Sequence, residues 1–192
     1  MKIYTIIAGV NGVGKSSFTG VKKESIDLGV IIDVDKITYD NKKGKIEGAK
    51  TALGMIDDCL EKGISFTQES TLSGYGVEAR IKRAKELGFY IRMFYVGLNT
   101  AEESIVRIQN RVMKGRHGIP LEDVVRRFEK RFEALMKVLP YCDEAEFYDN
   151  DNGFMKVASF SGNVFKIDCD VMPKWLSELT DYINETDIIV KS

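Results

Sequence analysis

Lys15, Ser16, Asp35 and Glu69 are residues whose types and placement could move a phosphoryl group. Lys15 and Ser16 close the run Gly9-Val10-Asn11-Gly12-Val13-Gly14-Lys15-Ser16, which fits the Walker A pattern G-x-x-x-x-G-K-[ST], and Ser17 follows. In such a P-loop the glycines let the backbone wrap with its N–H groups inward, and the next helix adds its positive end. The lysine reaches the β- and γ-phosphates, and the serine hydroxyl can ligate Mg²⁺. The implied ligand is a nucleoside triphosphate, ATP, with Mg²⁺ as the cofactor. A dinucleotide-binding reading is weaker. Asp35 lies about 20 residues beyond the loop, but Ser17 stands where that fingerprint needs its third glycine, and Lys15-Ser16 has no part in it.

A P-loop alone does not separate kinase from ATPase or GTPase. The guanine-reading motif N-K-x-D is absent, since "NKKG" at Asn41 lacks the final Asp, and no ABC-type signature follows the loop. In "VIIDVD" a buried strand is expected to end in Asp33 and Asp35, with both side chains on one side of the ligand-binding edge. A carboxylate there can take the proton of an attacking hydroxyl. It can equally cap the helix that "DKIT" could begin; the spacing favours the base for Asp35 and the cap for Asp33. One strand later, "SFTQESTLSG" brings Glu69, Ser70 and Thr71 to the same edge. Glu69 could orient an acceptor or, like Asp33, hold Mg²⁺ through water. Thr71 could bind the acceptor, or Ser70 and Thr71 could simply form a turn.

Arginines supply the third set. Arg107 and Arg111 are four apart on one expected helix, and Arg127 and Arg131 on the next. Like charges at that spacing repel by a few tenths of a kcal/mol, so something offsets them. Glu103 and Asp123 could pair with Arg107 and Arg127 on solvated faces. Alternatively, both helices flank "KGRHGIP", a glycine-containing loop carrying Arg116 and His117. Folded over a nucleotide, this element would exclude water and bring guanidinium groups to the transferring phosphoryl group. His117 is the chain's one histidine, suited to a phosphate or acceptor contact or simply exposed. Asn150, after the last parallel strand, could contact the nucleotide or make a turn.

The elements that would position these groups alternate as strand and helix, which implies an α/β P-loop NTPase three-layer sandwich with a mainly parallel five-stranded sheet. The strands are "KIYTIIAG", "GVIIDVD", "SFTQES", "YIRMFYVGL" and "AEFYDN". Helices are expected after the P-loop, over 45–61, 77–87 and 101–113, and from Pro120, whose stripe Val124, Phe128, Phe132, Leu135, Leu139 has helical spacing. A hairpin about Ser161-Gly162-Asn163 and a last amphipathic helix after Pro173 complete the chain. At 192 residues this is one domain, 1–192, with an Arg-rich helical lid at about 101–139. A net charge of −1 argues against a nucleic-acid partner, and no apolar run has the length of a membrane span. Cys59, Cys142 and Cys169 are odd in number and scattered, as suits a reducing cytoplasm rather than a zinc site or disulfide framework.

The combination resembles the zeta toxin-like P-loop kinases, specifically their short chromosomal branch. The matching features are "GVNGVGKS", "IIDVD", "QESTLSG", "RIQNRVMKGRHGIP" with "RRFEKRF", and "FYDN", spanning about three quarters of the chain. By this resemblance Lys15 and Ser16 would hold ATP-Mg, Asp35 would be the general base, and Glu69 and Thr71 would line the acceptor pocket. Arg107, Arg111, Arg116, Arg127 and Arg131 would be lid contacts. The acceptor would be a UDP-N-acetyl amino sugar and an antitoxin a conceivable partner. Two departures bear on this: "EST" stands where the toxins have "EGT", and "GRH" where the branch has "GGH".

The resulting reading is an ATP- and Mg²⁺-dependent kinase acting on a small-molecule hydroxyl. Its rivals are a nucleotide or polynucleotide kinase, and an ATP-dependent switch whose lid engages a protein partner.

Overall fold

A computed structural model of the chain describes the backbone of residues 1–40, 44–74, 76–113, 118–186 and 190–191. The strands are β1 (Ile3–Ala8), β2 (Val30–Asp33), β3 (Phe66–Ser70), β4 (Tyr90–Val96), β5 (Glu144–Asp149), β6 (Met155–Ser161), β7 (Val164–Ile167) and β8 (Val190–Lys191). The helices are α1 (Lys15–Lys22), α2 (Val34–Asp40), α3 (Lys45–Lys62), α4 (Val77–Glu86), α5 (Ala101–Met113), α6 (Leu121–Glu129), α7 (Arg131–Val138) and α8 (Lys174–Thr186).

All eight strands form one sheet in the order β2-β3-β1-β4-β5-β6-β7-β8. The first five are parallel, β5-β6 and β6-β7 are antiparallel, and β7-β8 is parallel. The expected five-stranded sheet is therefore corrected: the hairpin is not an appendage but continues the sheet from β5. Its turn residues Gly162 and Asn163 both have positive φ, 56° and 64°, the geometry that lets a two-residue turn follow the twist of its strands. The change from parallel to antiparallel also changes the sequence pattern. Parallel strands are covered on both faces and read as apolar runs, as in β1, where only the first residue is half-buried and the rest are buried. The antiparallel extension leaves one face to solvent, with Glu146, Ser159 and Lys166 aligned in a polar row.

One face of the sheet carries the large core. Tyr4, Ile6, Ile91, Met93 and Phe147 meet apolar side chains of α3, α4, α7 and α8, including Ile56, Ile81, Leu135 and Trp175. The other face carries a smaller core beneath the P-loop, built from Ile7, Val10, Val13, Phe18, Phe94, Val96, Leu98 and Tyr148.

The helix expected from Pro120 is two helices. It breaks at Lys130 (φ −88°, ψ 9°), between α6 and α7. The stripe is correspondingly divided: Phe128 packs on the small core and Phe132, Leu135 and Leu139 on the large one. A continuous helix could present its stripe to only one of these. The element expected as a lid thus ends in α7, a helix buried in the main core.

Candidate functional site

β1 ends between β3 and β4, where the chain's connections turn to opposite sides, the crevice in which open α/β sheets take ligands. The P-loop connects β1 to α1 there, and its glycines are needed by close approach. A Cβ on Gly12 would come 2.8 Å from the Ser104 carbonyl oxygen of α5, and one on Gly14 2.8 Å from Asn150 Nδ2 beyond β5. Both glycines have positive φ, 77° and 101°. The loop is thereby fastened to two neighbours. Ser104 Oγ donates to the Asn11 carbonyl, and Asn150 Nδ2 donates to the Val13 carbonyl at 2.8 Å.

Lys15 folds over the loop, its Nζ donating to the carbonyls of Gly9 at 2.9 Å and Val10 at 3.0 Å. Burial lowers its pKa, while the charges of Asp35, Glu69 and Asp33 act to raise it and Arg111 to lower it further. One ammonium thus feels three carboxylates and a guanidinium, which draws together residues from α1, α2, β2, β3 and α5. Ser17, next to Ser16 at the start of α1, is exposed.

Glu69 ends β3 only 8% exposed. Ser16 Oγ donates to its Oε2 at 2.8 Å and Thr19 Oγ1 to its Oε1 at 2.6 Å. Burial raises its pKa; the Thr19 bond acts against this, Asp33 reinforces it, and Ser16 and Lys15 lower it. Both carboxylate oxygens are turned to the P-loop helix, whereas the sequence had also suggested a place in an acceptor pocket. Asp33 lies opposite Glu69 in the β2-β3 register.

The strand expected to carry both aspartates stops at Asp33, whose Oδ1 accepts the Lys36 N–H at 2.9 Å and so caps α2. Asp35 sits in the first turn of α2, exposed, not on a strand. Thr71 Oγ1 and Ser73 Oγ are 2.8 Å apart in the loop after β3. Between them Leu72 has φ 60°, a conformation costly for a branched side chain, and is 6% exposed. Its burial in the large core turns the two flanking hydroxyls outward.

The arginines divide. Arg107 Nη2 donates to the Asn150 carbonyl at 3.1 Å and lies 3.9 Å from Asp151. Arg127 Nη1 donates to Asn11 Oδ1 at 3.0 Å. Neither makes the expected pairing with Glu103 or Asp123, and Asp123 pairs with Arg126 instead. Arg131 goes elsewhere, stacked between the rings of Phe128 and Phe132 at 3.9 and 4.1 Å and donating to Glu178 of α8 at 2.5 Å. Arg131, expected with the other arginines as a lid contact, is thus tied to the C-terminal helix, because the break at Lys130 turns it to the large core. Arg116 and His117 lie outside the described residues.

No protein-family model matches the chain. A Haemophilus influenzae protein, itself described only as uncharacterized, is 35% identical over 123 residues, 62% of this chain and 86% of that protein. The chain belongs to that protein's family. Among solved structures, a chain from the PezAT chromosomal toxin–antitoxin system of Streptococcus pneumoniae superposes with TM-score 0.63 at 14% identity, covering 98% of this chain and 87% of that one. A provisionally assigned kinase from Chloroflexus aurantiacus gives 0.50 at 18%, covering 66% and 76%. A chain of the Pnkp1/Rnl/Hen1 RNA repair complex gives 0.54 at 18%, with 69% of this chain matched to 45% of that chain. These likenesses establish a P-loop kinase-like fold.

Several residues at the site escaped sequence reasoning. Thr19 is one turn from Lys15 and could have been read as a partner for an acid on β3. Lys22 at the end of α1 donates to Tyr148 Oη at 2.8 Å and sits over the rings of Phe94 and Tyr148, clamping the phosphate helix to β5. Asn11 is expected at the phosphates as part of the P-loop; that its side chain holds Arg127 is not signalled by the sequence. Trp175 Nε1 donates to Asp149 at 2.8 Å; no local spacing signals that contact. Among the described residues no group of three or more His, Cys, Asp or Glu could hold a metal ion, and no helix is long and apolar enough to cross a membrane.

Proposed function

We infer that the chain, with residues 1–192 as one kinase-like domain, is a phosphotransferase that uses ATP and Mg²⁺ to phosphorylate a small-molecule hydroxyl. The observation that carries this reading is the bond from Ser16 to Glu69 beside the P-loop Lys15 at the carboxyl edge of the sheet, with Asp35 in the first turn of α2 at that edge and Arg107, Arg111 and Arg127 on the elements beside them. The P-loop amides from Gly9 to Ser17 would bind the triphosphate, with Lys15 neutralising charge on the β- and γ-phosphates. The donor set suits a hard cation: the Ser16 hydroxyl as a direct ligand, with Glu69 or Asp33 reached through water. Mg²⁺ bound there would neutralise charge on the phosphate oxygens.

Asp35 takes the proton of the acceptor hydroxyl as its oxygen bonds to the γ-phosphorus; the bond to the bridging oxygen breaks and ADP leaves. Arg107, Arg111 and Arg127 stabilise the charge on the transferring group, with Arg116 and His117 as further contacts from the connection between α5 and α6. Thr71 lines the acceptor side. A UDP-N-acetyl amino sugar is the acceptor that the resemblance to zeta toxin-like kinases favours. The PezAT likeness over 98% of the chain also favours a second reading, in which an antitoxin-like protein partner controls the site.

The test is ³¹P NMR of the protein with ATP, Mg²⁺ and a panel of UDP-sugars, nucleosides, small alcohols and a 5′-hydroxyl oligonucleotide. A new phosphomonoester signal with one acceptor is the expected result, and a UDP-sugar product would name the substrate class. Nucleotide binding with no transfer to any acceptor, together with copurification of a small protein, would replace the reading by the second one.

A further inference from the structure

The C-terminal helix is far from the phosphate loop in sequence, yet hydrogen bonds lead from it to that loop. Trp175, the only tryptophan of the chain, is fully buried near the start of α8. Its ring fills the space beside Gly97, where a Cβ would fall 2.1 Å from ring atom Cε2, so no other residue fits at Gly97 without displacing the ring. Its indole N–H donates to Asp149 Oδ1 at 2.8 Å, and its backbone N–H donates to Asn99 Oδ1 at 3.1 Å. Asp149 Oδ2 accepts the Asp151 N–H at 3.1 Å, and Asn99 Nδ2 donates to Asp151 Oδ2 at 2.9 Å. Two separate paths from one tryptophan therefore converge on Asp151.

Beyond Asp151 the network reaches the site. Its Oδ1 is 3.9 Å from Arg107, which donates to the Asn150 carbonyl, while the Asn150 side chain donates to the Val13 carbonyl of the phosphate loop. The loops after β4 and β5 supply these groups, and neither loop has regular structure to fix it over 97–99 or 150–151. Besides the bond from the Gly97 N–H to the Tyr148 carbonyl at 2.9 Å, side chains fix their shape, and Trp175 bonds to Asn99 in one and to Asp149 at the start of the other.

We propose that Trp175 and Asp149 are positioning residues for nucleotide binding, holding Arg107 and Asn150 against the phosphate loop through Asn99 and Asp151. The proposal rests on the nucleotide-binding reading above. It assigns the C-terminal helix a part in the affinity for ATP, not only in the stability of the large core. Because a purely structural role would also be felt in variants, the readout is affinity measured well below the unfolding temperature.

The experiment is calorimetric titration of ATP-Mg into the full chain and into Trp175→Phe, which keeps an aromatic ring beside Gly97 but removes the indole donor. ATP affinity is expected to fall about 5- to 10-fold in the variant, in line with loss of a hydrogen bond to a charged group. Asp149→Ala, at a half-buried position, gives the same test should Trp175→Phe not fold, and is expected to weaken ATP binding similarly. Unchanged affinity in a folded variant, whatever its unfolding temperature, overturns the proposal and leaves the nucleotide-binding reading standing. Failure of the unaltered chain to bind ATP overturns both.

Discussion

Helices α6 and α7 are separated by Lys130 alone and do opposite things. Arg127 on α6 meets Asn11 in the phosphate loop, whereas Arg131 on α7, four residues later, is sandwiched by two phenylalanines and tied to Glu178. The sequence treats the two arginines alike, as one turn of one basic face. The break in the helix rotates Arg131 into the large core, where burial lowers its pKa. What separates a candidate catalytic cation from a structural one is therefore which hydrophobic core its helix packs on. The small core carries the phosphate loop, while the large core carries the frame and, through Leu72, the turn that bears Thr71.

That division can be broken by substitution. The largest effects belong to residues above the small core. Lys15→Ala should lower phosphate transfer by at least about 10²-fold, through loss of charge stabilisation on the phosphates, in a steady-state ATP assay. Arg127→Ala should lower the transfer rate by about 10- to 10²-fold with the unfolding temperature little changed, because its bond to Asn11 is partly exposed. Arg131→Ala should do the reverse. It should destabilise the fold by about 1–3 kcal/mol in a urea titration, since Glu178 loses its 2.5 Å partner at a half-buried site and retains the looser 3.8 Å approach of Lys174, while the folded fraction keeps most of its transfer rate. Equal effects of the two substitutions on rate would erase the distinction between the cores.

Glu69 sharpens the comparison from the stability side. Its pKa is raised in the folded state, mainly by burial, so the folded chain binds its proton more tightly than the unfolded chain does. Stability from this group is thus fully present below the ordinary carboxylate value of 4.5 and is lost as pH rises through the raised one. Glu69→Gln should remove that decline and unfold at a higher temperature than the parent at pH 7, yet transfer more slowly. A site residue that costs the fold stability is what a functional carboxylate predicts. A variant less stable at pH 7 would count against it.

Legibility follows the same line. The P-loop, β1 and β3 were readable because short-range pattern dictates them: glycines for close approach, a lysine and a hydroxyl at fixed spacing. The bond from Ser16 to Glu69, 53 residues on, is a long-range pairing; the sequence placed the two only at the same edge of the sheet. The end of β2 was misplaced because Asp33 can finish a strand or cap a helix, and its bond to the Lys36 N–H decides between them. The break at Lys130 was unreadable because Lys130 carries no glycine or proline signal. Long-range packing against two cores selects it. The extension of the sheet through β6 and β7 and the tie from Trp175 to Asp149 likewise depend on pairings that no local spacing encodes.

The candidate site is assigned both the binding of a nucleotide and the transfer of its phosphate. The measurement that tests this most directly is ATP affinity set beside transfer rate in Asp35→Asn, once the NMR panel has supplied an acceptor. The prediction is an affinity within about twofold of the parent and a transfer rate reduced at least about 10²-fold, the signature of a lost general base. Parallel loss of affinity and rate, or retention of both, would contradict the role of Asp35 and with it the phosphotransfer chemistry assigned to this edge of the sheet.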